Sequence, residues 1–135
     1  MEIFLTAVGE YLGKVGAETT IDLYADFEIT EPEPKRLFEK IQQAALAEAK
    51  EAGTGRRKGD PYMAVPLDLT TGKGIAYFSR LAHRTIDCES VLDNKVVFST
   101  VENERIVCLN VPDHEVEALE SKAREAGATT LSRIA

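Results

Sequence analysis

The feature that most constrains the fold is an alternation over residues 19–29. Ile21, Leu23, Ala25, Phe27 and Ile29 alternate with Thr20, Asp22, Tyr24, Asp26 and Glu28. Successive side chains of an extended chain point to opposite faces, so this period predicts one strand with a buried face and a wet face. A half-buried strand needs a sheet, and the sheet needs a cover. Thr30-Glu31-Pro32-Glu33-Pro34 stops the strand. From Pro34 to Ala52 the residues Leu37, Ile41, Ala44, Ala45 and Ala49 then recur at helical spacing, with Gly53 placed as a stop.

The rest of the chain divides more finely. Residues 2–6 read as a strand, because Gly9 and Gly13 weaken the alternative helix built on Phe4, Val8, Leu12 and Val15. Residues 62–69 read as a strand, at a sheet edge because Pro66 cannot donate to a ladder. Residues 75–84 fit two periods. Tyr77, Ser79, Leu81 and His83 suit a strand closing a hairpin over Thr70–Gly74, and Ile75, Phe78 and Ala82 suit a helix; the hairpin is favoured. Further strands are expected at 86–92, 96–101, 105–111 and 129–134, with the third and second of these forming a hairpin. A second helix is expected from Asp113 to Ala126, ended by Gly127. The sum is a single α+β domain over residues 1–135. It has an antiparallel or mixed sheet of about six or seven strands with two main helices packed on it, so one sheet face is left for a cavity or a subunit contact.

Charge carries the functional information. The 135-residue chain has a net charge of −7 from 16 basic and 23 acidic residues. That balance argues against nucleic acid or anionic membrane as partners of the whole surface. The charge is uneven: residues 1–53 hold five cations and eleven acids, residues 87–135 hold five and ten, and residues 54–86 hold six and two. The basic stretch contains Arg56, Arg57, Lys58, Lys73, Arg80 and Arg84. Forked guanidinium donors on a Gly-rich loop suit a phosphate or carboxylate. Thr71-Gly72-Lys73-Gly74 could add backbone amides, and a helix start there would add its dipole. The P-loop pattern is absent, because Leu67 and Gly74 stand where it needs Gly and Ser/Thr. His83 lies between Arg80 and Arg84, which favour its neutral form, so it is the candidate general base. The alternative for all of these cations is pairing with the chain's own acids or with a partner's.

The two cysteines and two histidines form two pairs, His83 with Cys88 and Cys108 with His114. Four such ligands can hold zinc, but the spacing matches no common zinc loop. Cys88 stands between two acids, which disfavour a thiolate. Acids at positions 2 and 10 argue against a secretory signal, and no apolar run is long enough to span a bilayer. A cytoplasmic protein without cofactor is expected. Three Asn and two Gln among abundant Glu fit a thermophile. No catalytic signature emerges, so the first expectation is an oligomerising or accessory subunit of a larger enzyme assembly. The second is an enzyme or binder of a small anionic metabolite in a cleft lined by residues 54–84. The third is a zinc domain.

Overall fold

The structure, a computed structural model, describes residues 1–25, 28–52, 61–101 and 106–128. The elements are α1 (Glu2–Val15), β1 (Glu18–Asp22), α2 (Pro32–Ala52), β2 (Val65–Leu67), α3 (Gly72–Leu81), β3 (Asp87–Leu92), β4 (Lys95–Thr100), β5 (Val107–Leu109) and α4 (Asp113–Glu125). The strands form one sheet in the order β2-β1-β3-β4-β5, with every neighbouring pair antiparallel. The class is α+β as expected, but the described residues hold four helices and five strands. The strand expected at 129–134 lies outside the described residues.

The alternation at 19–29 is real but yields a short strand. β1 pairs on both sides, with β2 through Thr19, Thr20 and Ile21 and with β3 through Glu18 to Asp22. Beyond Asp22 neither neighbour continues, so the ladder ends. Single bonds from Leu23 N–H to the Tyr62 carbonyl (2.7 Å) and from Ile86 N–H to the Tyr24 carbonyl (2.9 Å) finish it. Leu23 and Ile29 are buried nonetheless. Pro66 sits opposite Thr20 on β2, which is an edge strand.

Two expected strands are helices. Residues 2–6 open α1, whose Phe4, Leu5, Val8 and Leu12 form its buried face, and Gly16 closes it at φ 79°. Gly9 and Gly13 do not break this helix; they let it pack. A Cβ on Gly13 would sit 2.2 Å from the Leu69 carbonyl oxygen, and one on Gly9 would sit 3.0 Å from the Phe78 ring. Residues 75–84 belong to α3 and the turn after it. The Thr71 hydroxyl caps this helix by accepting from the Gly74 N–H at 3.0 Å. Tyr77, Phe78, Leu81 and Ala82 then face the core.

One parity of the sheet is buried: Thr19 and Ile21 on β1, Cys88 and Ser90 on β3, and Phe98 on β4. Phe78 of α3 meets Phe98 there, with ring centroids 5.0 Å apart. The buried hydroxyls satisfy each other across the ladder, Thr19 Oγ1 to Ser90 Oγ at 2.7 Å. A bulge between Ser90 and Val91 makes Val97 the extra residue of β4. Residues from all four helices join this single core. The other parity, Thr20, Asp22, Asp87, Glu89, Val91 and Ser99, stays partly open to solvent. The described helices therefore cover one face of the sheet, and no described element covers the other.

Candidate functional site

The described cations of the basic segment do not gather at one place. Arg56, Arg57 and Lys58 lie outside the described residues. The other cations are divided by α3. Lys73 stands in its first turn, Arg80 in its last, and His83 and Arg84 in the turn that follows. At ~1.5 Å of rise per residue, Lys73 and Arg80 are about 10 Å apart along the axis.

At the C-terminal end of α3 the cations meet the chain's own acids. Arg80 Nε lies 3.0 Å from Glu33 Oε1. Arg84 Nη1 lies 3.0 Å from Glu2 Oε1, and its Nη2 lies 3.7 Å from Glu31 Oε1. Arg84 also donates to the Arg80 carbonyl. The Arg84 side chain is only 15% exposed, so these pairs are shielded more than a surface bridge. Glu31 is held below its ordinary value by a hydrogen bond from its own backbone and then by Arg84, with a smaller pull from His83. This arrangement fastens α1, the segment before α2 and the end of α3 together. Arg80 and Arg84, expected to bind a ligand, are engaged in that fastening.

At the other end of α3 a cleft of about 190 Å³ opens between α2, β2 and the helix start. Ile41, Ala45, Val65 and Tyr77 give it apolar walls, and Glu48, Asp68 and Lys73 give it charge. Lys73 Nζ lies 5.9 Å from the Tyr77 ring centroid. Asp68 accepts from the Thr70 N–H at 3.0 Å and from the Thr70 hydroxyl, which hold its carboxyl below its ordinary value. The chain passes so close that a Cβ on Gly74 would be 1.8 Å from the Asp68 carbonyl oxygen. Sequence reading found Lys73 and the Thr71–Gly74 turn. It missed the walls, which come from an α2 face and an edge strand far apart in the chain.

The cysteines and histidines do not converge. Cys88 is fully buried on the inner parity of β3, and Cys108 is exposed on β5, two strands away. Cys108 pairs with Ser99, which pairs with Glu89, so it belongs to the outer parity. Burial, then Asp87, Asp22 and Glu89, push the Cys88 thiol far up. His114 is on the first turn of α4, 3.4 Å from Glu115. Among the described residues no group of three or more His, Cys, Asp or Glu could hold a metal, and no helix is long and apolar enough to cross a membrane.

The outer sheet face gathers carboxylates instead. Asp22 of β1 stands opposite Asp87 of β3, and Glu89 stands opposite Thr20. Glu18 stands opposite Val91, which stands opposite Val96. Val96 is 44% exposed. Asp22 Oδ1 accepts from the Ala64 N–H at 2.8 Å. Asp87 is raised above its ordinary value by burial first, and then by Asp22 and Glu89. The sequence offered Asp22, Asp26 and Glu28 as a wet row. Asp26 lies outside the described residues and Glu28 pairs with Lys35 at 4.0 Å, so the carboxylates that join Asp22 come from β3.

No protein family, curated protein or solved structure matches the chain in sequence or fold.

Proposed function

We propose that the chain is a non-catalytic docking subunit, which presents the open face of its sheet to a cationic partner protein in a larger assembly. The carrying observation is the outer face, partly open and covered by no described element, where Glu18, Asp22, Asp87 and Glu89 stand with Val91 and Val96 and with no cation on the described strand positions of that parity. Lys and Arg side chains of a partner would neutralise the carboxylates, and its apolar atoms would cover the valines. Two copies of this chain face to face would set eight such carboxylates against one another, which like-charge repulsion disfavours at neutral pH. Charge therefore selects a different chain as the occupant. The ion pairs of Arg80 and Arg84 support the same reading, because they spend those cations on the fold itself.

Titration of the full-length chain with a labelled oligolysine peptide tests this reading. Amide shifts are expected to concentrate on β1, β3 and β4. The pair Asp22→Asn with Glu89→Gln is expected to weaken binding more than the exposed α4 pair Glu117→Gln with Glu125→Gln, which removes the same charge. Equal weakening by both pairs would show only general attraction to an acidic protein, and the reading would fall.

A further inference from the structure

We propose that the chain forms a symmetric dimer by pairing the outer edge of β5 with the same edge of a second copy, about a twofold axis at Cys108. The sheet runs β2-β1-β3-β4-β5, so β2 and β5 are its edges. Phe98, Ser99 and Thr100 of β4 stand opposite Leu109, Cys108 and Val107. The Asn110 N–H donates to the Val97 carbonyl at 2.9 Å, and the Val101 N–H donates to the Ile106 carbonyl at 3.2 Å. Bonded pairs alternate along an antiparallel ladder. Ile106, Cys108 and Asn110 therefore bond toward β4, while Val107 and Leu109 turn their N–H and C=O groups away from it. Among the described residues nothing bonds to those outward groups.

The two edges differ in chemistry. β2 carries Pro66 at its centre, which has no N–H to offer a further strand. β5 has no proline, and the run from Ile106 to Pro112 carries no charge. Edge strands are usually blunted by charge, proline or a bulge, so an open neutral edge is a pairing surface. Its own spacing fits a second copy. A twofold axis at Cys108 sets each Val107 opposite the other copy's Leu109, so every outward donor meets an outward acceptor. Cys108 then stands opposite Cys108 in a pair without hydrogen bonds, with Cα atoms about 4.5 Å apart. Both thiols are small and exposed, and no charge meets another at the axis. Face-to-face stacking would crowd the carboxylates, whereas edge pairing leaves each β3 about 24 Å from its copy. That separation exceeds the ~10 Å over which surface charges act in moderate salt. The pairing rests on β5 and not on the acidic face, so it stands or falls independently of the docking reading.

Sedimentation equilibrium of the full-length chain under reducing conditions tests the proposal. A reversible monomer–dimer equilibrium is expected. Val107→Pro removes an N–H that makes no bond to β4, and it is expected to weaken the dimer at least about tenfold while circular dichroism confirms the fold. Cys108→Lys sets two ammonium groups opposite each other from an exposed position, so the fold is kept and the dimer is expected to weaken about tenfold. Cys108→Ser is expected to leave the dimer intact. Diamide is expected to link two parent chains through Cys108, and to link Val107→Pro chains at least about tenfold more slowly. A monomer at every concentration overturns the proposal. So does a dimer that keeps its affinity in Cys108→Lys or in folded Val107→Pro, since the contact then lies elsewhere. Equal rates of diamide linkage in the parent and Val107→Pro also overturn it.

Discussion

Arg84 Nη1 lies 3.0 Å from Glu2 Oε1, which ties the turn after α3 to the first turn of α1. The same guanidinium reaches Glu31 ahead of α2, so one side chain joins three segments that are distant in sequence. Replacing Arg84 by Met keeps much of the apolar stem and removes the fork. The expected loss is about 1–2 kcal/mol, because the pairs are partly shielded and their carboxylates return to water when freed. Urea unfolding measures it, and a midpoint equal to the parent's would show that the bridge contributes nothing.

Glu31 carries a pH signature set first by the hydrogen bond from its own backbone and then by Arg84. Its carboxyl is depressed below 4.5, so the ionised form is favoured in the fold. A group of that kind stabilises at pH above its unfolded value, and the contribution fades as pH falls through its folded value. The stability gap between the parent and Glu31→Gln is therefore expected to be full at neutral pH and to shrink below about pH 4.5. A gap that stays constant into acid would rule out a titrating carboxylate as its cause.

Gly13 and Gly74 face the same stretch of chain from two helices. A Cβ on Gly13 would meet the Leu69 carbonyl oxygen at 2.2 Å, and one on Gly74 would meet that of Asp68 at 1.8 Å. Both obstacles are backbone, which cannot swing aside. Gly13→Ala and Gly74→Ala are each expected to cost about 3 kcal/mol or to prevent folding, although alanine is the better helix former. Gly72→Ala in the same helix, where a Cβ meets open space, is the control and is expected to be near neutral. Equal thermal midpoints for the Gly72 and Gly74 variants would contradict the close approach.

These glycines also show where the sequence misleads. In isolation Gly9 and Gly13 lower helix propensity, which favours a strand at residues 2–6. In the fold they admit Phe78 and the Leu69 backbone, a tertiary reason that no local pattern contains. Residues 75–84 carry two patterns, Tyr77, Ser79, Leu81 and His83 for a strand and Ile75, Phe78 and Ala82 for a helix; Phe78 inward against Phe98 and the Thr71 cap decide for the helix. By contrast the β4–β5 hairpin, the helix from Asp113 and the edge position of Pro66 rest on local chemistry and were legible. The acidic face was half legible. Asp22 was readable as wet, but its neighbours Asp87 and Glu89 depend on register with a strand more than sixty residues away.

The two thiols should separate cleanly. Cys108 is exposed, while Cys88 is fully buried and its thiol is raised by burial and by nearby carboxylates. An aromatic disulfide reagent is expected to modify one thiol per native chain and the second only after denaturation. Cys108→Ser should leave no fast-reacting thiol. Prompt reaction of both would mean that β3 opens readily, since Cys88 lies within the core.

Asp87 connects stability to the open face. Its carboxyl is raised above 3.8 by burial and by Asp22 and Glu89, so the folded state disfavours its charge. The sign is opposite to that of Glu31. Above its folded value Asp87 destabilises the chain, the penalty fades as pH falls through that value, and none is left below the unfolded value. Asp87→Asn is therefore expected to stabilise at neutral pH, by about 0.5 kcal/mol after solvent screening, and to match the parent well below pH 3.8. If the carboxylates of this face serve a cationic partner, the same substitution should weaken oligolysine binding while raising the urea midpoint. Stability and binding moving in opposite directions is what a face kept charged for its partner requires. A variant that loses both would make Asp87 a structural residue and remove it from the docking surface.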